Sequence, residues 1–121
     1  TDRTDSQKEQ MMREFATHYN ELLNLLTTDA RQVILMEPFV FPHPEEYETW
    51  IPYVHTMSDI IRQLSVRFGL PFLPLHNYFN KEATQSGFDA ITTDGIHLTL
   101  YGHKLLAEKL FPLLQSIDNN P

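Results

Sequence analysis

Apolar side chains recur every three or four residues through the opening stretch of the chain. Met12, Phe15, Tyr19, Leu22, Leu23 and Leu26 fall on one stripe, which predicts an amphipathic helix over 5–27. Thr4 or Asp5 would cap its start. The pattern then changes. Val33 to Met36 is apolar at every position, as in a strand buried on both faces of a parallel sheet. Pro38 ends that run, and "VFPHPEE", with Pro42 and Pro44, reads as a loop. Helical spacing returns over 46–68 through Trp50, Tyr53, Val54, Met57, Ile60, Ile61, Leu64 and Phe68, with Pro52 in the first turns and Gly69 after the end. "LPFLPL" predicts a second short strand, and "HNYFNKEA" one or two helical turns. A loop over 84–98 follows. Thr99 then caps a last helix whose apolar face is Leu105, Leu106, Leu110, Leu113 and Leu114.

Strand, helix, strand is a βαβ unit, so the two strands should be parallel with a right-handed crossover. Two strands cannot make a sheet covered on both faces by three long helices; that needs about five. The pattern therefore predicts the second half of an α/β domain, or a chain that pairs with another supplying the first half.

Composition narrows the function. The 121 residues amount to one domain at most, with 41% hydrophobic and 21% charged residues, enough for a packed core. A net charge of −7, with nine scattered basic residues, argues against nucleic acid as a partner. No apolar run reaches the roughly 18 residues of a membrane span. Cysteine is absent, which removes disulfides, a thiol nucleophile and Cys-ligated zinc. That absence fits a reducing compartment and leaves localisation and homo-oligomerisation open.

Chemistry concentrates in "ITTDGIHLTLYGHKLLAEKL". Asp94 stands three residues before His97, with Gly95 between them to allow a tight turn. A carboxylate that holds one ring nitrogen of an imidazole, leaving the other to take a proton, makes two-thirds of a hydrolytic triad. The bland alternative is a turn aspartate beside a satisfied histidine. The five serines, Ser6, Ser58, Ser65, Ser86 and Ser116, stand on helices, at helix ends or in a turn. None sits on a strand-to-helix elbow, so all five read as structural or solvated.

The block from Thr93 onward resembles the last sequence block of the GDSL-type esterases and lipases, also called SGNH hydrolases. Asp94, Gly95, His97, Thr99, Gly102 and His103 match its pattern, and Leu98 departs from the usual proline. "RQVILMEPFVFP" and "FGLPFLPLHNYFN" resemble that family's later core strands with their loops, and "TDRTDSQKEQMMREFATHYNELLNLL" the segment after its G-x-N-D block. The resemblance implies a flavodoxin-like, three-layer α/β/α parallel sheet of which residues 1–121 form the C-terminal part. It implies a Ser-His-Asp ester hydrolase, an acyl or acetyl esterase or lipase, with Asp94 and His97 present here. The nucleophile and oxyanion hole would come from an N-terminal half or companion chain. The substrate would be a small ester, such as an acetylated carbohydrate, and no cofactor is implied.

Other residues admit two readings. His43 either borders the substrate cleft or is an exposed loop histidine, and Phe39, with Phe41, could line an acyl or sugar pocket. Trp50 fits the core stripe. Glu45, Glu46 and Glu48 suit a helix N-terminus, and His103 a packed helix start. Asp94, His97 and His103 could hold a metal, but their spacing matches no metal motif, so none is expected. Two rival functions remain at this level: a non-catalytic interaction module on the same scaffold, and a metal-dependent hydrolase.

Overall fold

The computed structural model describes residues 5–29 and 32–118; Thr4, one of the expected caps, lies outside them. Contacts divide the chain into two units. One holds the described residues up to Pro38 together with Pro52–Phe72, and the other Phe39–Ile51 with the described residues from Leu73 on.

The first unit contains helix α1 (Asp5–Asp29), strand β1 (Leu35–Met36) and helix α2 (Ile51–Phe68, entering the unit at Pro52). Helix α1 outlasts its expected end at 27. The hydroxyls of Thr27 and Thr28 donate to the carbonyls of Leu23 (2.6 Å) and Asn24 (2.7 Å), satisfying themselves within the helix. Its buried line runs through Phe15, Tyr19 and Leu23 onto Leu35, Ile61 and Leu64. Leu22 and Leu26, expected on the core stripe, are instead exposed, because the buried face is centred on Leu23. Helix α2 ends in a paired C-terminal motif: Leu70 N–H bonds Ser65 O (2.8 Å) and Gly69 N–H bonds Val66 O (3.2 Å).

Strands β1 and β2 (Phe72–Leu73) run parallel in a two-stranded sheet. Leu35 N–H donates to Pro71 O at 2.9 Å. Both strands are shorter than the apolar runs suggested. Pro71 and Pro74 bracket β2 and Pro38 follows β1, and none of these can donate to a ladder. Ser58 and Ser65, expected to be structural or solvated, are buried on α2. The Ser58 hydroxyl donates to the Glu37 carboxylate, which also lies 3.7 Å from Arg62.

The second unit begins with residues 39–44 and a 3-10 segment, Glu45–Trp50. Helix was expected throughout 46–68. Pro52 has no N–H for the α ladder, and Ile51 N–H bonds Glu48 O, three residues back. The tighter period carries Trp50 off the stripe, and it is 50% exposed rather than core. Helices α3 (His76–Ser86), α4 (Phe88–Ile91) and α5 (Leu100–Asp118) complete the unit. Helix α3 makes about three turns, not one or two, because Phe79 and Ala83 anchor it in the core. Helix α4, inside the expected loop, is only four residues long, too short to show a period. The core gathers Phe41, Leu73, Leu75, Phe79, Ala83, Ile91 and Leu105. Phe41 and Phe79 are fully buried, each contributing about 1.5–3 kcal/mol of apolar transfer. Leu106, Leu110 and Leu113 of α5 pack against this core, whereas Leu114 is 42% exposed.

Candidate functional site

The segment joining α4 to α5 is tied to itself before it is tied to anything else. Thr92 and Leu98 form an antiparallel bridge. The buried Thr92 hydroxyl donates to His97 O (2.7 Å) and accepts from Gly95 N–H (2.9 Å). Thr93 N–H also donates to His97 O (3.0 Å). Thr99 closes the loop. Its N–H donates to Ile91 O (2.9 Å), its hydroxyl donates to Ala90 O (2.6 Å), and that hydroxyl accepts from Gly102 N–H (3.0 Å), capping α5. Close approach excludes a larger residue at 102, where a Cβ would stand 2.4 Å from Ile91 O.

Asp94 and His97 sit on this loop in contact. Asp94 Oδ2 lies 2.6 Å from His97 Nδ1, and Oδ1 accepts the backbone N–H groups of His97 (2.7 Å) and Ile96 (2.9 Å). These bonds favour the charged carboxylate. The His97 backbone donor, then its ring, then the Ile96 backbone donor hold Asp94 down at about 2, against an ordinary 3.8. The His97 side chain is 77% exposed and that of Asp94 48%. With Nδ1 turned to the carboxylate as donor, Nε2 becomes the acceptor that faces outward. No serine among the described residues is hydrogen-bonded to His97. Ser58 and Ser65 are buried and bonded elsewhere, to Glu37 and to Arg62 O, and Ser6, Ser86 and Ser116 are exposed on their helices.

Gly95 joins the loop to residues 39–47. Its φ is +95°, its carbonyl accepts Phe41 N–H (3.2 Å), and a Cβ there would meet His43 O at 2.5 Å and the Tyr47 ring at 2.7 Å. Beside this contact lies a hollow of about 440 Å³. His43, Glu46, Tyr47, Asp89, Thr92 and Asp94 are among its lining residues. His43 is exposed and stacks on Phe88 (centroids 5.7 Å apart). Phe39 packs against the core, 4.7 Å from the Phe79 ring, and does not line the hollow. His103 is exposed in the first turn of α5, not packed. No group of three or more His, Asp or Glu side chains converges as a metal site among the described residues.

Thr92, Tyr47 and Asp89 had no signal in the sequence. Thr92 could have been suspected only as a hydroxyl two residues before Asp94, and the other two are brought in by contacts distant along the chain.

Fold and loop together define an α/β chain. It superposes on a protein from Parabacteroides merdae described as a GDSL-like lipase, with TM-score 0.74 and 24% identity, over 81% of this chain and 47% of that one. It likewise superposes on an alpha/beta hydrolase enzyme from the metagenome of Lake Arreo, Spain, with TM-score 0.72 and 19% identity, over 84% of this chain and 46% of that one. The chain thus spans about half the length of these structures. No protein-family model matches it, and no curated protein does.

Proposed function

We propose that this chain carries the acid–base half of a serine ester hydrolase site. The observation that supports this reading is the 2.6 Å contact of Asp94 Oδ2 with His97 Nδ1 on an imidazole whose side chain is 77% exposed. In this reading the chain is the C-terminal part of a GDSL-type domain with a three-layer parallel sheet. A companion segment supplies the serine and the oxyanion hole. The half-length match to two hydrolase-like structures is consistent with that division. His97 Nε2 takes the proton of the serine hydroxyl as its oxygen attacks the ester carbonyl. The tetrahedral adduct collapses to an acyl-serine, and the same proton passes to the leaving alcohol. Water then attacks the acyl-serine, losing its proton to Nε2, and the acid is released as the serine is reprotonated. Asp94 holds the tautomer and stabilises the imidazolium throughout. The substrate is a small ester, such as an acetylated carbohydrate.

The test is hydrolysis of p-nitrophenyl acetate by the full-length gene product that contains this chain. His97→Ala should lower kcat by roughly 10⁴-fold or more, and Asp94→Asn by roughly 10⁴-fold. The 121-residue chain alone should be inactive. Unchanged turnover in His97→Ala would exclude this function.

A further inference from the structure

We infer that His76 and Asn80, on α3, are positioning residues for the Asp94–His97 pair, an inference that rests on reading that pair as the acid and base of the site. His76 is buried, 6% exposed, and its Nδ1 accepts Val40 N–H at 3.3 Å. An acceptor at Nδ1 requires that this nitrogen carry no proton. One helical turn on, Asn80 Nδ2 donates to Val40 O (3.1 Å) and to His76 O (2.9 Å). Two carbonyls around the same atom assign it as the amide nitrogen. Both backbone groups of Val40 are therefore held by α3 side chains. The next residue, Phe41, is fully buried and gives its N–H to Gly95 O (3.2 Å). Gly95 gives its own N–H to the Thr92 hydroxyl, which binds His97 O. A continuous series of bonds thus runs from α3 through residues 40–41 to the backbone of the residue between Asp94 and Ile96.

The series has a consequence for the imidazole. Asp94 fixes the ring relative to its own loop. The α3 clamp fixes that loop relative to the unit's core, through Val40 and Phe41. Loss of the clamp would leave the Asp94 contact possible but the direction of Nε2 unfixed. Effective proton transfer depends on that direction, because displacement of about 1 Å can cost about 100-fold in rate.

Amide hydrogen exchange and ring NMR on the full-length gene product that contains this chain test this. In the wild type, the Val40, Phe41 and Gly95 amides should be protected together, within about tenfold of one another, and the His97 Nδ1–H resonance should be visible. His76→Leu keeps the apolar volume and removes the acceptor. It should speed exchange at Phe41 and Gly95 by roughly tenfold, the size expected for one lost buried hydrogen bond, and broaden the His97 Nδ1–H signal. His76→Asn, whose Oδ1 can stand near the place of Nδ1, should restore both. A folded His76→Leu with both readouts unchanged would overturn the inference. So would a wild type in which Val40 exchanges as an open amide. If His76→Leu fails to fold, Asn80→Ala and the wild-type pattern decide between the same outcomes. None of these readouts uses turnover. An active enzyme with an uncoupled loop refutes the clamp alone, and an inactive enzyme with a coupled loop refutes the hydrolase reading alone.

Discussion

Replacing Gly95 by alanine tests how tightly the Asp94–His97 loop is seated. Two costs arise, and the structure separates them. The first is conformational: at φ +95° a Cβ is strained, by about 1–2 kcal/mol. The second is steric. The new carbon would stand 2.5 Å from His43 O and 2.7 and 2.8 Å from two Tyr47 ring atoms. An ordinary carbon–oxygen contact is about 3.3 Å, so the backbone at His43 would have to retreat by about 0.8 Å. That backbone cannot retreat freely, because Phe41 is held in the core and is bonded to Gly95 itself. Overpacking of this kind costs a further 1–3 kcal/mol, roughly. Gly95→Ala should therefore destabilise by about 2–5 kcal/mol. Gly87 supplies the control. Its φ is +90° and its ψ 142°, backbone close to glycine-only, but a Cβ there meets nothing within 4 Å, so Gly87→Ala should show only the conformational cost of about 1–3 kcal/mol. Urea unfolding of the two variants beside the parent, with a shared slope, reads the difference. Equal losses at the two glycines would refute the steric reasoning and the tight seating with it.

Other expectations follow from single contacts. Ser58→Ala removes a hydroxyl from the Glu37 carboxylate, whose side chain is only 10% exposed. Urea unfolding should show a loss of about 1.5–3 kcal/mol, the size for a hydrogen bond to a charged group. Thr99→Ala removes the cap of α5 and the bond to Ala90 O, and should cost about 1–2 kcal/mol by the same measurement. Asp94 has a folded value near 2, below its ordinary 3.8. It therefore contributes stability that is fully present above the ordinary value and is lost as pH falls through about 2. A carboxyl ¹³C titration should place its midpoint near 2; a midpoint at the ordinary value would mean that the loop bonds are absent in solution.

What could be read from the chain beforehand follows how far apart the interacting residues lie. The Asp94–His97 contact needs only a three-residue turn, so spacing alone reveals it. The long helices are legible for the same reason, since Phe15, Tyr19 and Leu23 repeat at the helical period. Trp50 leaves the expected core stripe because Pro52, two residues later, changes the period of the segment before it. Leu22 and Leu26 are exposed despite their spacing, because periodicity gives the width of an apolar stripe and not which part of it meets a neighbour. The clamp on Val40 had no local sign at all. Its partners stand 36 and 40 residues away, and His76 and Asn80 look like ordinary polar positions on a short helix. The hollow beside Asp94 was invisible for the same reason, since Tyr47 and Asp89 meet only after folding.

Thr92 closes the loop on itself, through Gly95 on one side and His97 on the other. Carboxylate and imidazole are thereby mounted on one small rigid ring. Thermal motion of the surroundings would carry both together, preserving their alignment while shifting their common position. The walls nearby are thus free to diverge without disturbing the Asp94–His97 contact.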